Sequence, residues 1–342
     1  MRSDARPLVG LTVGDPAGIG PEIVRSVLGD RDLARELRLL VFGPASERPD
    51  DVPVLEDPAR ARTRADDALW FVTEGGDWEP GRVQASAGRA ALAALRAAAD
   101  LALARGVDAL VTAPVSKEAL HPAGERCEGQ TELFGRWAGV PVEMLAIAGE
   151  LRVLLLTRHL PLRRALDEIT SERVFAHLLL LDAGLRALGF AAPRIACAGL
   201  NPHAGEGGIL GTEELELLVP AIERARAAGL DVAGPESPDA VFLAASLGRY
   251  DGVLALYHDQ AFLPIKLVAP RTGLTVLLGL PYLRVSPAHG TAFDLVGTGR
   301  ADAGNLALAL RRAAAWGPSY SPVVLSDASA RRASAARSSP AG

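Results

Sequence analysis

The chain reads as an α/β protein built on largely parallel sheets, and three features of the sequence predict it. Short apolar runs bounded by Gly, Pro and Asn alternate with longer stretches of helical periodicity, as strands alternate with helices in βαβ units. The runs are apolar throughout rather than at every second residue, which marks strands covered on both faces. No period of roughly 20 to 50 residues recurs, so a repeat array is excluded.

Taken in order, Leu8 to Val13 is the first strand. It runs into Gly14-Asp15-Pro16-Ala17-Gly18-Ile19-Gly20-Pro21-Glu22, where Pro21 suits the first helical position and Glu22 the positive end of the helix dipole. These glycines match neither GxGxxG nor the Walker pattern, and the segment reads as a structural strand-to-helix turn. Arg38 to Phe42 is a second strand. Pro44 to Asp67 is rich in Pro, Asp and Arg and reads as surface loop with a short strand at Val52 to Leu55. An alanine-rich helix, with leucines at 92, 95, 101 and 103, runs from Ser86, a plausible N-cap, through Ala104. Asp108 to Val115 carries a buried strand out into Ser116-Lys117. Lys117 is either a solvated lysine at a helix start or a cation facing a cleft.

Glu128-Gly129-Gln130-Thr131-Glu132 begins another helix, with an amide and a hydroxyl at the amino end where anions bind well. Ser171 opens an amphipathic helix to Leu188, and His177 lies on it among leucines as a core-edge residue. His121, before a proline in a loop, is given no role. A helix runs from Thr212 through Ala228, and Asp239 caps the next one or stands as a cleft carboxylate. Leu274 to Leu280 is a further strand. The last 25 or so residues, rich in Ala, Arg and Ser, read as a frayed tail.

Three apolar runs end alike. Leu151 to Leu156 gives Thr157-Arg158-His159, Ile195 to Leu200 gives Asn201-Pro202-His203, and Leu254 to Leu256 gives Tyr257-His258-Asp259. Ligands of open α/β sheets sit beyond the carboxyl ends of the strands, so three of the six histidines occupy positions that project into a binding crevice. Taken singly, each reads first as a capping or hydrogen-bonded turn histidine, since lone histidines are usually structural. Converging, three neutral imidazoles make a ligand set for Zn²⁺ or a similar divalent ion with positions open for a substrate oxygen.

Composition narrows the classes. A chain of 342 residues, 49% hydrophobic with 35 glycines, can bury a large core and suggests two domains. The net charge of −5 argues against nucleic acid as a partner. Two cysteines, Cys127 and Cys197, form no CxxC and no disulfide framework, which suits a reducing cytoplasm. Before Gly14 there is no long apolar segment, so neither a signal peptide nor a membrane anchor is expected.

The segments Gly14 to Glu22, Thr112 to Lys117, Gly129 to Glu132, Thr157 to Leu162, Asn201 to Gly208, Tyr257 to Lys266 and Leu278 to Gly299 together resemble the 4-hydroxythreonine-4-phosphate dehydrogenase (PdxA) family, over about residues 8 to 315. The resemblance implies two α/β/α domains with a cleft between them, like isocitrate and isopropylmalate dehydrogenases. Residues 1–135 plus 268–320 would carry the dinucleotide loop, 136–267 the metal histidines, and 321–342 a flexible tail. It implies a homodimer with the active site at the subunit interface and a partner histidine completing each site. His159, His203 and His258 match the family's metal ligands, for Zn²⁺ first and Co²⁺ or Mg²⁺ as alternatives. Gln130, Thr131, Lys266, Thr275 and Arg284 fall on its substrate-contact positions. His289-Gly290-Thr291-Ala292 resembles the loop that holds the adenosine half of the dinucleotide, and Asp294 falls where an acid favours NAD over NADP. Lys266, Asp259 and Asp239 are the candidates for catalytic roles.

The implied activity is NAD-dependent, metal-dependent oxidation of 4-phosphohydroxy-L-threonine to a β-keto acid that loses CO₂, in pyridoxal phosphate biosynthesis. Two departures keep alternatives open, because the family usually has histidine where Gln130 stands and asparagine where Thr275 stands. The alternatives are a sister dehydrogenase acting on D-threonate or D-erythronate 4-phosphate or on a dihydrodiol carboxylate, and, more remotely, a phosphate acyltransferase of the same broad fold.

Overall fold

The computed structural model describes residues 4–127, 129–269 and 272–323. Glu128 and the tail from residue 324, which carry two of the expectations above, lie outside them. Along the chain run β1 (Leu8–Thr12), α1 (Gly20–Leu28), α2 (Arg31–Glu36), β2 (Arg38–Pro44), β3 (Ala68–Thr73), α3 (Ala85–Leu103), β4 (Ala109–Thr112), α4 (Lys117–Leu120) and α5 (Gln130–Ala138). The middle supplies β5 (Glu143–Ala148), β6 (Leu151–Leu155), α6 (Leu162–Asp167), α7 (Ser171–Ala187), β7 (Arg194–Ala198), α8 (Val219–Ala227), β8 (Asp231–Glu236), α9 (Pro238–Ser246), β9 (Gly252–Ala255), α10 (His258–Val268) and β10 (Leu274–Leu278). Then come β11 (Arg284–Pro287) and α11 (Gly304–Trp316).

Two compact units result. One joins the chain up to Val140 with Leu280–Ser321; the other is built on Pro141–Gly279. The expected divisions after 135 and 267 therefore move to 140 and 279, which places Thr275 in the middle unit. Strand β10 pairs antiparallel with β5 of that unit, Thr275 opposite Ala146.

In the first unit the strand order is β3-β2-β1-β4-β11, all parallel, with Val9 beside Leu39 on one side and Ala109 on the other. The strands β1, β2 and β4 are buried at every residue, as continuous apolar runs require. Helix α3 lays Ala87, Ala90, Ala91, Ala94, Leu95 and Ala98 on the sheet; small side chains at helical spacing let it approach closely. Its amino end differs from expectation. Gln84 is the cap residue and Ser86 donates to the Asp77 carbonyl instead of capping. At Val52 to Leu55, where a strand was expected, only an isolated bridge stands, Val54 to Trp70, and 3₁₀ turns follow at Pro58–Thr63.

The middle unit has the order β10-β5-β6-β9-β7-β8. Strand β5 is antiparallel to both neighbours, and the rest are parallel. Its core gathers Val153, Leu155, Val253, Phe242, Tyr250 and Ile265 among small residues. At about 1.5–3 kcal/mol per fully buried Val, Leu or Phe side chain, such clusters supply most of the folding free energy. The function-bearing consequence is the order β6-β9-β7: three adjacent parallel strands whose carboxyl ends lead to His159, His258 and His203 respectively.

Candidate active site

The three strand ends are stitched together by side chains that periodicity does not reveal. Thr157, 2% exposed, donates to the Leu256 carbonyl at 2.8 Å and ties β6 to β9. Gln260 accepts from Leu256 N–H at 2.7 Å and donates to the Gly199 carbonyl at 2.8 Å, tying β9 to β7. Each buried polar group is thus satisfied by another strand end, which fixes where the following residues emerge.

His159 and His258 emerge as a pair, their ring centres 5.5 Å apart, lining a cavity of about 260 Å³ with Arg158, Leu160, Tyr257 and Asp259. Two imidazoles holding one ion through nitrogens at about 2.0–2.1 Å place their ring centres roughly 5 Å apart, so the pair fits a shared divalent cation. The His258 Nδ1 lies 2.7 Å from the Asp259 carboxylate, which leaves Nε2 as the nitrogen for a metal. On its other face the His258 ring lies against Phe262, centre to centre 4.7 Å. Arg158, next to His159, is held by the buried Glu143 at 3.7 Å and donates to the Val142 carbonyl. His177 is fully buried rather than at the core edge, with Nε2 3.7 Å from that same Glu143.

His203 does not join the pair as expected. Among the described residues no three His, Cys, Asp or Glu side chains gather around one point for a metal. The backbone there is unusual: His203 to Gly207 all adopt left-handed torsions, and the ring faces Glu206, Nδ1 3.4 Å from its carboxylate. Left-handed geometry costs about 1–2 kcal/mol per L-residue, so the turn is strained and must be held from outside. Asp239 is not the cap of α9, a place taken by Ser237. The Ser237 hydroxyl, 2.5 Å away, and the more distant His203 hold its carboxyl below the usual range. Lys266 is exposed on α10, and Thr275 is buried on β10.

The first unit carries a second constellation. Arg284 on β11 is 3% exposed and donates to Thr112 Oγ1 at 2.5 Å and to Gln130 Oε1 at 2.8 Å, with the Phe134 ring 5.3 Å away. All three neighbours are neutral. Burial pulls its guanidinium down to about 10, opposed by the Tyr282 phenol, and among the described residues its Nε–H has no acceptor. A buried cation with neutral neighbours is costly unless an anion completes it. The Gln130 carboxamide is oriented from both sides, since its Nε2 donates to the Ala113 carbonyl at 3.3 Å. Beside it lies Thr131, 6% exposed, in the first turn of α5.

The 289–294 loop rests on the turn between β1 and α1. The Thr291 carbonyl accepts from Ile19 N–H at 3.0 Å, and Gly297 N–H donates to Glu22 at 2.7 Å. A Cβ on Gly18 would lie 3.0 Å from Thr291, so the glycine permits the close approach. Ala292 takes a left-handed φ of 43°, His289 and Gly290 stand at the loop's start, and Asp294 is exposed. Under the turn Asp15, fully buried, accepts from Ala17 N–H at 3.0 Å, and burial pushes its carboxyl up from the usual range. Thr157, Gln260, Thr112 and Asp15 have no place among the sequence-based candidates; being polar within or just after an apolar run is the one signal that marks them.

The chain as a whole resembles known proteins. The family model for the pyridoxal phosphate biosynthetic protein PdxA matches residues 24–313. The D-threonate 4-phosphate dehydrogenase of Bordetella bronchiseptica is 41% identical over 332 residues, covering 93% of this chain and 94% of that one. The 4-hydroxythreonine-4-phosphate dehydrogenase of Geobacter metallireducens is 38% identical over 325 residues, covering 91% and 96%. Among solved structures, the 4-hydroxythreonine-4-phosphate dehydrogenase of Klebsiella pneumoniae superposes with a TM-score of 0.81 at 36% identity, covering 91% of this chain and 99% of that one.

Proposed function

Since this chain belongs to the PdxA family of dehydrogenases, we propose that it oxidises a hydroxyl of a four-carbon hydroxy acid phosphorylated on its terminal oxygen, with NAD⁺ as the acceptor. The observation that carries the reading is Arg284, a buried guanidinium whose partners Thr112 and Gln130 are both uncharged. It supports an anionic substrate group, phosphate or carboxylate, as the missing counter-charge. D-Threonate 4-phosphate is the first choice of substrate. Gln130 has its carbonyl oxygen committed to Arg284, so it offers outward an amide N–H, which a substrate hydroxyl accepts and an ammonium cannot. The likeness to the Bordetella bronchiseptica protein supports the same choice. 4-Phosphohydroxy-L-threonine is the second reading, supported by the likeness to the Geobacter metallireducens protein.

The donors at the strand ends suit a divalent cation, Zn²⁺ or Co²⁺ before Mg²⁺, with His159 and His258 as ligands, His203 as the third, and a histidine of a second subunit completing the site. Bound there with NAD⁺, such an ion supplies Lewis acidity at the substrate hydroxyl, while the dinucleotide supplies the hydride acceptor. The protein's own share is placement. Asp259 holds the His258 tautomer, Thr157 and Gln260 lock the strand ends, and Arg284 with Gln130 and Thr131 grips the anion. Lys266 and Thr275 are proposed as further substrate contacts, and Asp239 or Lys266 is proposed to handle the hydroxyl proton. His289 to Ala292 and Asp294 are proposed to hold the adenosine half of NAD. Oxidation next to a carboxyl-bearing carbon yields a β-keto acid, one NADH and one proton; the keto acid then loses CO₂.

A homodimer is part of the proposal. Leu243 and Leu247 at α9 are 63% and 79% exposed, and Leu263 and Leu267 on α10, the helix that begins at His258, are 64% and 81% exposed. Exposed apolar area of this kind marks association faces. Among the described residues no helix is long and apolar enough to cross a membrane, and with its two free cysteines the enzyme is proposed to work in the cytoplasm.

The test is NADH absorbance with D-threonate 4-phosphate, D-erythronate 4-phosphate, 4-phosphohydroxy-L-threonine and a dihydrodiol carboxylate. Turnover of D-threonate 4-phosphate well above the amino compound is expected. Turnover of the unphosphorylated diol alone would overturn the reading, and acyl-phosphate formation from a CoA thioester without NAD would replace it with an acyltransferase.

A further inference from the structure

His203, Ala204, Gly205, Glu206 and Gly207 have φ of 52°, 54°, 76°, 45° and 69°, five left-handed residues in a row. Three of them carry a Cβ, and L-residues visit this region singly, not in runs. A group that holds such a turn must be rigid and well placed, and Glu214 is both. Its side chain is buried, and Oε1 accepts from the backbone N–H of Leu200 and of Asn201, each at 2.7 Å. Its Oε2 accepts from Asn201 Nδ2 at 2.9 Å and stands 2.8 Å from where a Cβ on Gly205 would sit. The carboxylate therefore grips the root of the turn and lies against its inner side. Glu214 opens a π-helical turn, Glu214–Leu218, a local widening that recurs at functional sites.

We propose that Glu214 is a positioning residue for His203: its buried carboxylate clamps Leu200 and Asn201, keeps the left-handed turn closed, and thereby sets where the imidazole is presented at the strand ends. It acts through His203 and touches neither substrate nor ion. The proposal rests on the reading of His203 as a ligand given above, and its test separates the two. Glutamine is the informative replacement, because its NH₂ would face the Asn201 NH₂, donor against donor.

The full-length wild type, E214Q, E214Q/A204G and H203A are compared by melting temperature, by crystal structures giving the torsions of 203–207, and by Co²⁺ titration followed in the visible spectrum. E214Q is expected to leave the left-handed region at 203–207 and to bind Co²⁺ about 10- to 100-fold more weakly, as loss of a supporting group at a metal site does. A204G lets the turn adopt positive φ without Cβ strain and is expected to restore most of that affinity in the double variant. Unchanged torsions in E214Q would overturn the clamp, as would a lowered melting temperature with wild-type Co²⁺ affinity. If H203A binds Co²⁺ like the wild type, the ligand reading fails, and the clamp is then judged on the torsions alone. Should E214Q not fold, N201A removes the amide leg by itself, and the same torsions decide.

Discussion

Arg284 donates a 2.8 Å hydrogen bond to the Gln130 carbonyl oxygen across 154 positions of sequence, and among the described residues no carboxylate pairs with the guanidinium. Arg284→Met therefore makes opposite predictions for stability and for binding. Removing a buried, uncompensated cation raises the melting temperature of the ligand-free protein. Losing a charged hydrogen bond to the substrate anion, worth about 1.5–3 kcal/mol, raises KM roughly 10- to 150-fold. Thermal melts and steady-state kinetics check the pair; a lower melting temperature would mean that the guanidinium serves the fold rather than an anion.

Gln130 cannot titrate, so substrate affinity carries no ionisation from this position. Gln130→His introduces one, and log KM is expected to acquire a pH dependence centred near the usual histidine range, about 6.5. Kinetics from pH 5.5 to about 8 on both proteins would show it; parallel profiles would place Gln130 outside the substrate contacts.

Asp15 lies under the β1–α1 turn with its carboxyl pushed above the usual 3.8 by burial. An acid whose pKa is higher in the folded chain contributes stability below the unfolded value and loses it as pH climbs through the folded value. The wild type should thus lose stability relative to Asp15→Asn as pH rises from about 4 towards neutrality. Denaturant unfolding at several pH values measures this, and a constant difference would contradict the burial account.

Asp259→Asn keeps the shape at His258 Nδ1 but removes the charge 2.7 Å away. The affinity for Zn²⁺ or Co²⁺ should fall about 10- to 100-fold while the melting temperature of the metal-free protein changes little. Metal titration by calorimetry decides; an unchanged affinity would detach Asp259 from the site.

Leu263→Asp with Leu267→Asp places charge on the exposed face of α10. Sedimentation is expected to shift from dimer to the 35.7 kDa chain, with activity lost at the same time. A dimer that survives both substitutions would put the association face elsewhere.

Much of the fold is legible in the order of the residues. The apolar runs that form β1, β2, β4, β6, β7 and β9 are buried on both faces, and such burial writes itself directly into composition. Strands β3, β5 and β8 carry no such mark. Ala68–Thr73 and Asp231–Glu236 are only partly buried along their length, and Glu143–Ala148 begins with a charged residue whose partners come from elsewhere in the chain. Asp239 has the chemistry of a cap and is not one. Cap choice turns on the torsions of neighbouring residues, and Ser237 holds the position.

By itself the sequence determined the alternation of strands and helices, the three histidines just beyond strand ends, and the membership of a family, because periodicity and motif are local and survive in one dimension. Only the tertiary structure decided which partners meet. Thr112 reaches Arg284 because β4 and β11 are neighbours, and Gln130 reaches it from the first residue of α5. His159 pairs with His258 because β6 lies beside β9, while His203, one strand further, stands on a left-handed turn that Glu214 closes. Strand order and backbone handedness arise from the summed packing of the whole unit, and no window of residues contains that sum.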